Sequence, residues 1–382
     1  MKTLAIVLLS ASFTFFDGSF LLQNRNQDED TITKSFKVKK GGRLEVDVDP
    51  GSVEITPWDK DEVFIEAENI DERRPEKLKI SESGNTVKVE YTDRRRSSRN
   101  LRFLINIPVE FHVNVKTTGG NIIEKDMMKG DFHVETNGGN VEMDNIVGRV
   151  DVHSNGGNIK AVKVEGDAQI KTNGGNVTVK MATGILEVGS GGGNIRIDGV
   201  GKRLKLTTGG GNVTLGDIGA EADVKTGGGN LYVGKVTAGL RLVSGGGNID
   251  VKGATQHVFL KTGGGNVTMK EIKGTLELTT GGGDVSVELT PTGKGESTVH
   301  SGGGDITLFV PENAKANIEA RVTERYGRGW GRRKKIDVRS DYKADKFEKE
   351  EDEINATYVL NGGGDLIAVE TSNGVIEIRK LK

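Results

Sequence analysis

One short phrase, a run of glycines closed by asparagine and followed by an apolar residue, returns through the middle of this chain with a period of 18 residues. Asn140, Asn158, Asn176, Asn194, Asn212, Asn230, Asn248 and Asn266 close successive copies, and Asp284 takes the same place one period later. A fixed period near 20 residues permits little besides a stack of coils. Each unit is too small to bury its own apolar face and must lean on neighbours built alike.

Within each period the apolar residues alternate twice. Ile195, Ile197 and Val200 follow Asn194, and Leu204 and Leu206 come before the next glycines. The intervening slots hold Arg196, Lys205, Asp223, Lys225, Arg241 and Glu277. Two runs of period two mean two short strands per coil, each with one face in water and one on a thin core. The expected fold is all-β: a parallel β-solenoid of roughly 18-residue coils with an irregular β N-terminal cap and a C-terminal closing coil. Residues 111–310 should supply about ten coils, a section about 50 Å long at the spacing of β-strands.

The corner residues have a structural reading. Glycine enters positive φ without penalty, asparagine tolerates it, and stacked asparagine side chains can hydrogen-bond to one another along the array. A Ser/Thr slot four residues earlier (Ser154, Thr172, Ser190, Thr208, Thr226, Ser244, Thr262, Thr280) predicts a second ladder. No copy runs on into the Gly-Lys-Ser/Thr of a phosphate-binding loop.

The remaining segments differ in kind. Residues 1–22 carry Met1 and Lys2 ahead of an apolar stretch from Leu4 to Phe16, too short to span a bilayer, and read as a secretory signal. No small-x-small triplet follows cleanly, so an N-terminus left in the membrane also stays open. Residues 23–35 are a polar tether, 36–110 alternating strands without the period, 311–358 a charged excursion and 359–382 a closing β coil. Proline stops at Pro108 and resumes at Pro291, as expected where nearly every amide donates to a ladder. The absence of cysteine excludes disulfides, a thiol nucleophile and a lipid-bearing cysteine.

Gly42-Arg-Leu-Glu-Val46 with Gly51-Ser-Val-Glu-Ile-Thr-Pro-Trp58, then Ile105-Asn-Ile-Pro108, Thr118-Gly-Gly-Asn121 and the repeats, resemble the toastrack family of bacterial envelope β-solenoids, provisionally called adhesins. The ending Leu360-Asn-Gly-Gly-Gly-Asp365 with Thr371-Ser-Asn-Gly-Val-Ile-Glu-Ile378 is similar too. The resemblance implies an exported or membrane-tethered domain, and brings no catalytic residues with it.

Net charge is −2, so only local clusters can point to a partner. One runs from Asp93 to Arg99. The other interleaves rings and cations at Arg325, Arg328, Trp330, Arg332 and Arg333 and precedes the acidic run Asp341 to Glu353. Arginine pairs bidentately with phosphate or carboxylate while rings stack on sugars, so this stretch is the expected contact for a cell-surface polymer or an envelope protein. A solvated loop, or pairing of its basic and acidic halves, is the alternative. No cofactor and no nucleic-acid partner is expected, and the membrane is reached only through an uncleaved N-terminus.

Three classes of function stay open: a non-catalytic exported scaffold or adhesin, a polysaccharide-active β-helix enzyme, and a calcium-loaded β-roll. An enzyme needs a focused group of carboxylates or bases, whereas His112, His133, His153, His257 and His300 fall mostly on unrelated slots. A β-roll needs an aspartate turn twice per coil, whereas here the glycines come once and the acidic slot is mostly asparagine. Asp284 and Asp305, in successive units, are the one place where stacked carboxylates would repel or be bridged by a cation.

Overall fold

In the computed structural model, which describes residues 31–70, 75–92, 100–293, 295–324 and 336–381, each period contributes two strands to two parallel sheets that face each other. Arg203–Thr208 lies between Ile185–Ser190 and Glu221–Thr226. Its companion Val213–Ile218 lies between Ile195–Val200 and Leu231–Val236. The register is one full period, with Leu206 against Val188 on one side and Val224 on the other. The apolar set of each layer therefore stacks on that of the next. Leu186, Ile197, Leu204, Leu206 and Leu215 are fully buried. Two sequence stretches, Ile249–Thr262 and Val267–Thr280, run as single strands through both sheets, turning at Gln256 (φ 71°) and Gly274 (φ 129°).

At both ends the order of stacking departs from the order of the chain. Gly42–Asp49 is inserted between Thr86–Thr92 and Phe111–Thr117, and Ser52–Trp58 between Arg102–Pro108 and Ile122–Glu124. Antiparallel strands then cover the outermost layer: Glu62–Glu68 on Arg102–Pro108, Ile32–Lys37 on Glu62–Glu68, and Leu78–Ser83 on Thr86–Thr92. The other end repeats the device. The coil of Asp365–Ser372 and Val375–Leu381 lies beside Glu296–Ser301 and Ile306–Pro311, and Ala316–Thr323 and Asp337–Ser340 add the last parallel layer on it. Glu353–Leu360 and Lys346–Lys349 then lie antiparallel beyond Ala316–Thr323. The final edge is short and charged at Lys346, Glu348 and Lys349, which disfavours pairing with another sheet. Among the described residues about fifteen parallel layers at about 4.8 Å make a section of about 70 Å between the antiparallel covers.

The corner glycines are required by close approach more than by φ. A Cβ on Gly193 would lie 1.9 Å from the carbonyl oxygen of Gly175 in the layer before, whereas one on Gly192 would meet nothing within 4 Å. Positive φ appears at this third corner position only from Gly229 (84°) onward. Gly193→Ala should therefore cost at least about 2 kcal/mol and Gly192→Ala under about 1 kcal/mol, since a methyl group against backbone cannot be accommodated by a rotamer change. Urea midpoints of the two variants check this, and equal midpoints would refute the contact.

The Ser/Thr slot is buried, but it does not form a hydroxyl-to-hydroxyl ladder. Ser154 Oγ accepts the N–H of Gly157 at 2.9 Å, while Thr172 Oγ1 donates to the carbonyl of Gly157 in the previous layer at 3.1 Å. From Thr226 onward the hydroxyl turns into its own corner, as when Thr262 Oγ1 donates to the Gly264 carbonyl at 2.8 Å. Thr208, where the two patterns meet, has a buried hydroxyl without a partner.

Among the described residues one core slot holds a carboxylate. Glu124 is 2% exposed, against Ile55 on one side and, continuing the register, Met143 on the other. Its Oε2 accepts the Asp144 N–H at 2.9 Å, and its Oε1 has no partner. Burial raises its pKa to about 8, and the charges of Asp144 and Asp126 add to the rise against that one hydrogen bond.

Candidate functional site

The corner asparagines stand exposed in single file, and their bonding differs from a side-chain stack. Each Oδ1 accepts the backbone N–H of the corner residue in the next layer, from Asn121 to Asn140 and on through Asn266 to Asp284, at 2.8–3.1 Å. None of the eight predicted asparagines has positive φ. Their role is to cap a donor that points along the rod and would otherwise be left over at every corner. The row also begins one layer earlier than the strict period suggests, at Asn121. A true amide-to-amide column does exist, three positions earlier in the same corner: Asn173 Nδ2 donates to Asn155 Oδ1 at 2.9 Å, and Asn155 Nδ2 to Asn137 Oδ1 at 2.8 Å. It ends where Gly191 replaces the asparagine.

Asp284 and Asp305 continue the corner row without needing a cation to explain them. Asp284 Oδ1 accepts the Asp305 N–H at 2.9 Å, and Asp305 Oδ1 the Val375 N–H at 3.0 Å. Asp365 is elsewhere: despite its preceding glycines it accepts the N–H of Gly293 at 2.8 Å, outside the row.

Along the walls, charges of opposite sign meet between layers. Lys205 bridges to Glu187 at 3.1 Å and Lys116 to Glu135 at 3.0 Å in adjacent layers, while Lys235 reaches Glu271 at 2.7 Å two layers on, past Gly253. His133 and His153 occupy adjacent layers, a grouping that sequence spacing alone did not suggest. The His133 ring lies 3.1 Å from Glu135 and 3.5 Å from Asp151. The hydrogen bond from Lys116 holds the Glu135 carboxyl below its ordinary value, with His133 adding to the effect against slight burial. Among the described residues no three such side chains are arranged to hold a metal ion.

Arg325, Arg328, Trp330, Arg332 and Arg333 lie outside the described residues, as does the basic run from Arg94 to Arg99. The residues that flank the first stretch are internally paired. Arg321 meets Glu353 at 2.9 Å, Arg339 meets Glu377 at 3.3 Å, and Arg379 meets Asp341 at 2.9 Å.

A groove of about 470 Å³ opens where the inserted coil passes the first corner, lined by Ser52, Asn100, Arg102, Gly119, Gly120 and Asn121 among others. Ser52 Oγ accepts the Asn121 N–H at 3.2 Å, and Arg102 is held 3.0 Å from Glu54. A hydrogen bond from Lys125 keeps the Glu54 carboxyl below its ordinary value, against partial burial, and Arg102 reinforces it.

The fold and this surface define a capped parallel β-solenoid whose outer face is produced by repetition. The chain belongs to the Toastrack DUF4097 family, which it matches over residues 42–269 and again over 186–379. The two matches overlap because an 18-residue register lets one pattern slide along the stack. No curated protein matches the chain at a significant level. Solved structures similar to it include a provisionally named adhesin from Bacteroides fragilis, 12% identical over 92% of this chain and 97% of that one with a TM-score of 0.28. Another, provisionally named a lipid binding protein, comes from Parabacteroides distasonis. It is 12% identical over 93% of this chain and 98% of that one, with a TM-score of 0.27.

Proposed function

We propose that this protein is a non-catalytic, exported scaffold of the cell envelope that engages a surface polymer, or an envelope protein, along the length of its stack. The observation that carries the reading is repetition. The same corner recurs layer after layer, so a partner with its own repeat meets many equivalent contacts, each weak, whose effects multiply. The carboxylates with lowered pKa are tied to cations or other donors, as Glu54, Glu135, Glu187, Glu271 and Glu353 are, which suits a static surface better than proton transfer. Glu124, held high, is sealed in the core. The signal-like residues 1–22 support export.

Cell fractionation tests the location, and binding of the full chain to isolated envelope polymer tests the contact. Removing one whole period, residues 195–212, keeps the register and should weaken binding about two- to fivefold, with further loss for each added period removed. Binding unchanged after three periods are removed would place the contact elsewhere. Within the same reading, Arg325, Arg328, Trp330, Arg332 and Arg333 would add a salt-sensitive contact to anionic polymer. Deleting 325–340 should then abolish the salt dependence and leave the salt-independent part.

A further inference from the structure

We propose that the asparagine row is a binding track for an extended, uncharged glycan, entered through the groove at Asn121. This deepens the reading of the protein as a polymer binder and rests on it. The ladder itself needs only an oxygen at each corner. Asp284 and Asp305 show this by accepting the same backbone N–H that the asparagines accept. The layers from Asn121 to Asn266 nevertheless carry amides, exposed and in single file, and none of these Nδ2 groups donates to a partner among the described residues. Each layer thus offers unused N–H donors at a repeat of about 4.8 Å.

Two further features fit a chain laid along this row. The middle corner position is bare: a Cβ on Gly192, Gly210, Gly228, Gly246 or Gly264 would meet nothing within 4 Å, so the strip beside the amides has no side chain to obstruct a ligand. At one end the row runs into the groove of about 470 Å³, within the size range of small-ligand sites, where Ser52, Asn100 and Arg102 add polar groups. An extended β-linked pyranose chain advances per sugar by nearly the strand spacing and carries hydroxyl and ring oxygens as acceptors on every unit. The donors are neutral, and the row ends at the carboxylates of Asp284 and Asp305, so an uncharged chain suits it better than a polyanion.

The test is calorimetric titration of the full chain with cellohexaose, chitohexaose and cellobiose. The hexamers should bind at least about tenfold more tightly than the dimer, because they reach several layers. Binding should stay level between about 50 and 500 mM salt, unlike a contact through arginines. Asn194→Asp, at the middle of the row, keeps the ladder oxygen and removes the donors; it leaves runs of only four amides on either side and should weaken hexamer binding about five- to tenfold with an unchanged melting temperature. Asn212→Asp provides the same readout if Asn194→Asp melts early. No binding of either hexamer, equal affinity for hexamer and dimer, or indifference to both substitutions overturns the proposal. If isolated envelope polymer still binds and both substitutions leave it unaffected, the track fails while the broader reading stands. Absence of all polymer binding removes both.

Discussion

Leu206→Asp is expected to unfold the layers around it, while Lys205→Gln beside it leaves them folded. Leu206 is fully buried and stacked on Val188 and Val224. Truncating such a leucine costs about 2 to 5 kcal/mol, and a carboxylate in its place adds several more for an unpaired buried charge. A solenoid layer is held only by its two neighbours, so a loss of that size exceeds what the local stack can absorb and spreads to the adjoining coils. Lys205 is exposed and paired with Glu187 at 3.1 Å, an interaction worth about 1 kcal/mol or less. Glutamine is the better control there than aspartate, because position 205 lies between Glu187 and Asp223 and a third carboxylate would repel both. Hydrogen exchange read layer by layer checks the contrast. Equal protection in the two variants would mean that the inward register is wrong.

The repeat made most of this architecture readable, for a physical reason. Alternation tells which side chains face inward, and a constant period tells which residue stacks on which, so Ile197, Leu204 and Leu206 are legible as core from the sequence, and all three are fully buried. The ends lack that second clue. The sequence of Gly42–Asp49 shows one inward face, but nothing local reveals that its neighbours are Thr86–Thr92 and Phe111–Thr117. Strand partners chosen over such separations depend on the whole layer packing at once. The glycines of 362–364 show the converse, a local likeness without equivalence: Asp365 is outside the row, and the row position after Asp305 falls to Val375.

The surface was less legible than the core. A run of arginines with tryptophan is conspicuous in one dimension, whereas the amide row emerges only when residues 18 apart are brought within one strand spacing. Sequence reading credited the asparagines with tolerating positive φ, because glycine-rich corners usually need it. The structure instead has none of the eight at positive φ and gives their side-chain oxygens an acceptor role. His133, Glu135, Asp151 and His153 gather on one wall for the same reason, through a register of one period. Each is ordinary alone.

Glu124 was within reach of the repeat rule, since the third residue after a corner asparagine faces inward, as Ile197 does after Asn194, and Glu124 follows Asn121 by three. Its position sets an expected pH response. The unfolded chain holds this carboxyl near the ordinary 4.5, while the folded layers hold it at about 8. Between those values the folded state binds the proton that the unfolded state releases, so stability falls as pH rises through that window and is level outside it. The difference of about 3.5 pH units corresponds to about 4 to 5 kcal/mol. Carboxylates held low, such as Glu54 and Glu135, act in the opposite direction and only in more acid solution. The loss should be local to the first layers, where Trp58 lies on Ser52–Trp58, the strand paired with Ile122–Glu124. In a Trp330→Phe background, the urea midpoint reported by Trp58 fluorescence should drop between pH 6 and pH 9. Glu124→Met, which supplies the residue type of the next layer's slot at Met143, should raise the midpoint and flatten that drop. Parallel pH profiles for the two proteins would show that Glu124 ionises without cost and that its burial does not govern this end of the rod.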